Sequence, residues 1–241
     1  MAETLAALLL AHVLADFVFQ TGWMVANKNR WQGLAAHGAI VLATAIAATG
    51  AFTLCLLWLT ALHAAIDLGK TRAREGLAAY LADQALHIVT LCCLAFWQPQ
   101  LFASGIWADL SLLPPLMALV AGGVLASRAG GFAVGYLMAP LAKRLPASVT
   151  TESLPGAGRL IGLMERGLIF AFLILHQPEG VGLLIAAKSI LRFGAVRDDR
   201  ALSEYVIIGT LASVGWALIV GYATLALLTS LPPLGILPAN P

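Results

Sequence analysis

Residues 4–26 read TLAALLLAHVLADFVFQTGWMVA, an apolar run whose only ionisable side chains are His12 and Asp16. With a rise of about 1.5 Å per residue, an apolar helix of about 20 residues crosses the hydrocarbon core of a bilayer. Because such runs are long and continuous rather than short and alternating, they predict helices and not barrel strands. Further apolar runs occupy residues 34–49, 52–68, 77–97, 106–126, 159–175, 180–190 and 205–228.

The composition excludes several classes of protein. Of 241 residues, 60% are hydrophobic and 11% are charged, whereas an ordinary soluble domain has about 25% charged residues. So few charges cannot cover a soluble monomer, and a disordered chain is excluded for the same reason. A net charge of +2 argues against a nucleic-acid partner, which needs a basic face. The sequence predicts an all-α, polytopic integral membrane helical bundle of about eight transmembrane or re-entrant helices.

Basic residues mark alternate connections between these runs, which the positive-inside rule places in the cytoplasm. They are Lys28, Arg30, Lys70, Arg72, Arg74, Lys143, Arg144, Arg197 and Arg200. The other connections carry Glu3, Asp109 and Glu179 and no basic residue. We therefore expect a multi-pass protein of a plasma membrane with both termini outside.

The chain divides by composition into four segments. We expect a four-helix bundle with a polar site at 1–98, then a fifth helix, an interfacial helix and a loop at 99–158. C-terminal helices follow at 159–230, and a disordered, proline-rich tail at 231–241. The run at 180–190 is short and contains Lys188, so either a full crossing or a half-helix covered by other helices fits it.

Four of the five histidines and three aspartates lie within residues 1–98. Three pairs are spaced four residues apart, which places both side chains on one helix face, one turn from each other. These pairs and one further histidine are His12 with Asp16, His63 with Asp67, Asp83 with His87, and His37. Counted from the basic ends, all seven fall in the cytoplasmic half of their helices, so a bundle would bring them together.

Ionisable groups inside a membrane are costly unless they satisfy each other or bind something. Neutral imidazole and carboxylate are ligands for Zn, Mn or Fe, so the sequence predicts that all seven side chains hold a divalent metal ion. Asp16 and Asp83 are the candidate catalytic carboxylates. The residues themselves leave two alternatives open. The site holds either one metal, with the remaining carboxylates orienting the histidine rings, or two metals. Structural polar packing is the competing interpretation, and bis-histidine haem fits less well because the histidines share one layer.

A second polar group lies in the other half of the chain. We expect Gln20, Glu165, Arg166, Lys188 and Arg192 to bind a substrate or anion, because arginine presents a fork suited to phosphate oxygens. The competing interpretation is ion pairing, of Glu165 with Lys188 or Arg166 and of Glu204 with Arg192, together with snorkelling to lipid phosphates.

The motifs resemble those of an uncharacterised bacterial membrane family, a domain of unknown function. The resemblance rests on His12-x3-Asp16-Phe17-x2-Gln20, His37, His63-x3-Asp67, Asp83-Gln84-x2-His87, Gly158-Arg159-x-Ile161-Gly162-x2-Glu165-Arg166 and Lys188-Ser189-Ile190-Leu191-Arg192-Phe193. It implies location in a bacterial inner membrane and brings no activity with it. A looser analogy is to bacterial membrane-bound metal-dependent hydrolases, whose His-Arg-x2-Thr-His-Ser run this chain lacks.

The leading hypothesis is an integral membrane metalloprotein, a hydrolase acting at the cytoplasmic leaflet on a lipid-like or phosphorylated substrate. The expected partners are membrane lipids and an anionic lipid or phosphorylated substrate, and a homo-oligomer is compatible with the sequence. One alternative is a proton- or metal-ion-coupled transporter that uses the same His/Asp layer. The other is a non-catalytic membrane scaffold.

Overall fold

The computed structural model describes residues 1–145, 154, 156–196 and 200–234, without the side chains of 191–196. Within these residues every regular element is a helix, which confirms the all-α class. The helices are α1 Ala2–Leu14, α2 Gly22–Ala26, α3 Trp31–Thr49, α4 Leu54–Lys70, α5 Leu77–Trp97, α6 Leu113–Val124, α7 Gly130–Ala142, α8 Ala157–Ile174, α9 Pro178–Val196 and α10 Arg200–Leu228. Two π-helical segments, Ala15–Phe19 and Leu125–Ala129, follow α1 and α6.

Five helical stretches are long and apolar enough to cross a membrane. They are Ala2–Phe19, Trp31–Thr49, Leu77–Trp97, Leu113–Ala142 and Arg200–Leu228. Large apolar side chains stand on the exterior, among them Phe52 at 77% and Phe96 at 79% exposure. A monomer in water rarely exposes so much contiguous apolar surface, so a membrane environment fits these faces. The more polar helices α4, α8 and α9 are not among the five.

The first apolar run is not one helix, contrary to the prediction for residues 4–26. The helix passes into the π-helical segment Ala15–Phe19, and Gln20 then adopts an extended backbone. A new short helix, α2, starts beyond Thr21, whose hydroxyl accepts a hydrogen bond from the Met24 amide (3.3 Å). Threonine at this position caps a helix start, so the chain turns here although its apolar character continues.

The middle of the chain also differs from the prediction. The fifth run begins at Leu113 rather than at residue 106, since Pro114 and Pro115 occupy the first helical turn, where a missing N–H costs nothing. The helical stretch that begins at Leu113 continues to Ala142. Helix α9 has 19 residues and is longer than the predicted piece at 180–190.

The chain forms two compact units. The first unit comprises Met1–Val124 and Ala226–Leu234, and the second comprises Leu125–Leu225. In the first unit α1 packs against α3, α5 and α6. Its core includes Ala7, Leu8, Leu56, Leu91 and Leu231. The loop predicted at 146–156 and the tail predicted at 231–241 fall largely outside the described residues.

Close backbone contacts hold one end of the first unit. Gly50 ends α3 in the left-handed region (φ 66°), and its carbonyl accepts a hydrogen bond from the Ile106 amide (3.0 Å). A Cβ on Gly105 would lie 2.2 Å from the Thr49 carbonyl oxygen. The Trp107 indole N–H donates to the Ala47 carbonyl (2.8 Å). The segment after α5 thus forms hydrogen bonds with the C-terminal end of α3. The basic residues Lys28 and Arg30 precede the other end of α3.

In the second unit, α8 packs on α9 and on the π-helical segment Leu125–Ala129. Its core consists of Ile169, Leu173, Val181, Val214 and Ala217. A π-helix leaves carbonyls without their usual partner four residues on, and side chains use them here. The Trp216 indole N–H donates to the Leu125 carbonyl at 2.9 Å.

Alanine at position 105 tests the fastening of α3. Gly105→Ala should destabilise the protein by about 1–3 kcal/mol, because the added methyl meets backbone that cannot move aside. Gly22→Ala is the matched control, since nothing lies within 4 Å of a Cβ there. Thermal unfolding of both variants in detergent measures the difference. Equal transition temperatures would show that the contact between Gly105 and Thr49 is not made.

Candidate metal centre

All seven histidines and aspartates singled out in residues 1–98 meet in one buried cluster. Helix α1 and its π-helical extension supply His12 and Asp16, and α3 supplies His37. Helix α4 supplies His63 and Asp67, and α5 supplies Asp83 and His87. Their side chains are at most 7% exposed. We name these residues the His/Asp cluster: His12, Asp16, His37, His63, Asp67, Asp83 and His87.

Four atoms that could act as metal ligands lie close together in the cluster. The Nε2 atoms of His37 and His63 are 3.0 Å apart. Asp16 Oδ1 lies 3.3 Å from each of them. Asp67 Oδ2 lies 3.4 Å from His37 Nε2 and 3.8 Å from His63 Nε2. Each of the two carboxylate oxygens therefore lies within 3.8 Å of both histidine nitrogens.

These separations match those around a tetrahedral metal ion. With metal–ligand bonds of 2.0–2.2 Å, two ligands of a tetrahedral zinc site are about 3.3–3.6 Å apart. The five distances given above, 3.0–3.8 Å, bracket that range. Asp16 Oδ1 and Asp67 Oδ2 form no hydrogen bond, although imidazole nitrogens lie within 3.3–3.4 Å of both. The atoms approach closely without the alignment that a hydrogen bond needs.

Two lysines hold the outer sides of two carboxylates. Lys28 Nζ donates to Asp67 Oδ1 at 2.8 Å, and Lys70 Nζ donates to Asp83 Oδ2 at 2.6 Å. The lysine side chains are 13% and 31% exposed, whereas the carboxylates are 1% and 3% exposed. Each carboxylate thus has one oxygen on a lysine and the other turned toward the cluster.

The amide of Gln84 orients two further members. Its Nε2 donates to Asp83 Oδ2 at 3.1 Å, so its Oε1 is the atom that accepts from His12 Nε2 at 3.3 Å. This leaves the lone pair of His12 on Nδ1.

The Nδ1 of His87 donates to the Asp83 backbone carbonyl at 2.9 Å, which leaves the lone pair of His87 on Nε2.

Inner atoms of the cluster are unpartnered, and in His12, Asp67, Asp83 and His87 the outer atom is hydrogen-bonded. The buried side-chain atoms that form no hydrogen bond, among the described residues, are His12 Nδ1, Asp16 Oδ1, Asp67 Oδ2, Asp83 Oδ1 and His87 Nε2. Every one belongs to the His/Asp cluster. A ligand held by an outer hydrogen bond and free on its inner side is the arrangement found around protein-bound metals. The cluster could therefore hold a metal ion.

Three groups of donors within this cluster could each hold an ion. The groups are His12, Asp16 and His63; His37, His63 and Asp67; and Asp67, Asp83 and His87, with donor atoms within 4.8 Å of one another in each. His63 belongs to two groups, and so does Asp67. Because a carboxylate has two oxygens, Asp67 could serve either one ion or two neighbouring ions.

A small cavity adjoins the cluster on its apolar side. It is lined by His12, His63 and His87 together with side chains such as Leu8 and Leu91, and its volume is about 10 Å³. About this much space accommodates one water molecule. The rings around it are close, with centroids of His63 and His87 4.1 Å apart.

Sequence reasoning missed the outer partners of the cluster. The positive-inside rule uses Lys28 and Lys70 only as topology markers, and the motif that contains Gln84 gives it no partner. Gln84 lies three residues before His87 on the same face of α5, and this spacing indicates that Gln84 is close to the cluster. Nothing in the sequence assigns Lys70 to Asp83 rather than to Asp67, three residues before it on the same helix.

Three of the five predicted anion-binding residues, Glu165, Arg166 and Lys188, line one pocket of the second unit. The Gln20 amide lies against His37, 3.1 Å from its Nε2, and therefore belongs to the His/Asp cluster. In the second unit Lys188 contacts both carboxylate oxygens of Glu165, at 2.8 and 2.7 Å. Arg166 instead donates to the Ser127 carbonyl and to the Ser213 hydroxyl. The Arg192 side chain lies outside the described residues. Glu204 pairs with Arg200 at 3.0 Å, and the suggested pair of Glu204 with Arg192 involves a side chain outside the described ones.

The first half of the chain has relatives in sequence. Residues 4–108 match the family model described as protein of unknown function (DUF3307). The resemblance drawn from the motifs is confirmed over that stretch, which contains the whole His/Asp cluster with Lys28, Lys70 and Gln84. No curated protein and no solved structure matches the chain.

Replacing the amide of Gln84 tests the outer hydrogen bonds. Gln84→Leu removes the acceptor for His12 and one donor to Asp83, so we expect a loss of about 1–3 kcal/mol in stability, because buried polar groups lose their partners. Gln32→Leu, an exposed position on α3, is the matched control. Thermal unfolding in detergent compares them. A Gln84→Leu variant as stable as the control would contradict the network.

Proposed function

We propose that the chain is an integral membrane metalloprotein that holds a divalent metal ion in the His/Asp cluster. The observation that carries this proposal is a set of five buried, unpartnered nitrogen and oxygen atoms, four of them in side chains whose outer atom is hydrogen-bonded. Apolar packing cannot compensate such atoms, since each unpaired buried polar group costs about 1–3 kcal/mol. We further propose a multi-pass protein of the bacterial inner membrane with about eight crossing or re-entrant helices and an external N-terminus.

The donor set restricts the metal. Imidazole nitrogens together with carboxylate oxygens suit zinc, manganese and iron, whereas calcium and magnesium prefer oxygen alone. No cysteine belongs to the three donor groups found among the described residues, so thiolate ligands have no part in the proposed site. We therefore propose Zn, Mn or Fe.

The proposed activity is hydrolysis. A divalent ion in this position would supply Lewis-acid activation of a water molecule. Asp16 and Asp83 each keep one unpartnered oxygen in the cluster, so either carboxylate could accept a proton within it. Lys70 and Gln84 would hold Asp83 in place through its other oxygen. The substrate we propose is lipid-like or phosphorylated, met at the cytoplasmic leaflet.

A transporter remains the second candidate because ion-conducting proteins also bury histidine and aspartate in a layer. Burial argues for a resident ion: the cluster is at most 7% exposed at its side chains, and the cavity beside it is about 10 Å³. A transported ion needs a path on both sides.

Metal content tests the first proposal. Protein purified at neutral pH without added metal should contain at least one equivalent of Zn, Mn or Fe by mass spectrometry of the digested sample. His63→Asn should lower metal affinity about tenfold or more, because His63 takes part in two of the three donor groups.

His176→Asn is the matched control for that measurement. His176 is exposed and has a positive φ of 56°, a conformation that asparagine tolerates. Helical circular dichroism confirms that both variants fold. Less than one metal per chain in the unmodified protein, or equal metal content in both variants, would overturn the metalloprotein.

Hydrolysis and transport are separated by a second measurement. With one metal bound, the protein should cleave a chromogenic phosphate monoester or a short-chain phosphatidic acid. Asp83→Asn should lower that rate by about 10²-fold or more, and the exposed Asp109→Asn should not. Flux of metal or protons into proteoliposomes that Asp16→Asn abolishes, with neither probe cleaved, would refute the hydrolase in favour of the transporter.

A further inference from the structure

The second unit contains a separate, open pocket of about 470 Å³. Its walls come from α7, α8, α9 and α10. Pockets of 300–1,000 Å³ are the size that holds small ligands. All of its lining residues belong to the second unit, and the metal proposal does not depend on it.

The pocket has a surplus of positive charge. Arg159, Arg166 and Lys188 line it, with Glu165 as the single carboxylate, so the formal charge is +2. Glu165 and Lys188 neutralise each other through two short contacts of 2.8 and 2.7 Å. Arg159 is exposed at the rim, and neither arginine has a carboxylate partner in the described part of the chain.

Arg166 is fixed in place rather than mobile. Its Nε and Nη2 donate to the Ser127 carbonyl at 3.1 and 2.9 Å, and its Nη1 donates to the Ser213 hydroxyl at 3.2 Å. The Ser127 carbonyl belongs to the π-helical segment Leu125–Ala129. Three of the five guanidinium N–H groups are thereby used.

Glycines make room for this guanidinium. A Cβ on Gly162 would lie 2.9 Å from Nη1, and one on Gly131 would lie 3.1 Å from Nη2. Both glycines line the pocket. The planar group therefore faces the cavity, with two N–H groups that have no partner among the described residues.

The remaining walls combine hydroxyls with apolar side chains. Tyr205, Thr210 and Ser213 offer hydroxyl groups, while Val134 and Met138 are apolar. An anion would find charge-assisted donors, and an attached hydrocarbon part would find an apolar wall.

We propose that this pocket binds a phosphate-type anion, with Arg159 and Arg166 as its principal donors. Two sources fit this chemistry, a free phosphate and the phosphate of a lipid headgroup. Arginine provides planar, paired donors for phosphate oxygens, and the pre-positioned guanidinium loses little entropy on binding.

The test is equilibrium titration of the purified full chain in a neutral detergent. The probes are inorganic phosphate, dihexanoyl phosphatidic acid and, as a zwitterionic comparison, dihexanoyl phosphatidylcholine. Arg159→Gln should weaken binding of the phosphate-containing anions about tenfold, the loss of one charge-assisted hydrogen bond. Glu165→Gln should tighten it, because the competing carboxylate is removed and Lys188 is released.

Arg200→Gln is the matched control, since it removes the same charge from an exposed position, 93% exposed at its side chain. Tighter binding of phosphatidic acid than of phosphate supports a lipid source, and equal binding supports a free anion. Equal weakening by Arg159→Gln and Arg200→Gln, equal binding of phosphatidylcholine, or no binding of either anion at millimolar concentration would overturn the pocket. Repeating the titration after chelation separates this result from the metal proposal.

Discussion

Burying a carboxylate or an imidazole among apolar helices is unfavourable unless every polar atom finds a partner. The first unit meets this requirement on the outside of its His/Asp cluster, where Lys28, Lys70 and Gln84 take the outer atoms. It leaves the inner atoms unmatched. This asymmetry connects the packing of the bundle to its chemistry.

The second unit uses buried charge in the opposite way. Glu165 forms an ion pair with Lys188. The guanidinium of Arg166 donates hydrogen bonds to a backbone carbonyl and a hydroxyl, not to a carboxylate. Its positive charge is thus kept rather than cancelled. One unit converges on lone pairs that suit a cation, while the other presents N–H groups that suit an anion.

The sequence predicted the convergence of the seven cluster residues because four-residue spacing fixes a helix face whatever the tertiary packing. It did not predict the break at Gln20 or the start of α6 at Leu113, since capping and proline placement act within an unbroken apolar run. The assignment of Lys70 to Asp83 depends on how α4 and α5 lie side by side. Such contacts between helices leave no periodic mark in the sequence.

The first unit is discontinuous along the chain, and this has a consequence for synthesis. Its last cluster residue is His87, so the polar groups are all present before the second unit has been translated. Its apolar core, however, also takes in Leu227, Leu228 and Leu231, which are translated after Leu125–Leu225. The bundle can therefore gather its ligands early but completes its packing late, after the intervening hundred or so residues of the second unit have been made.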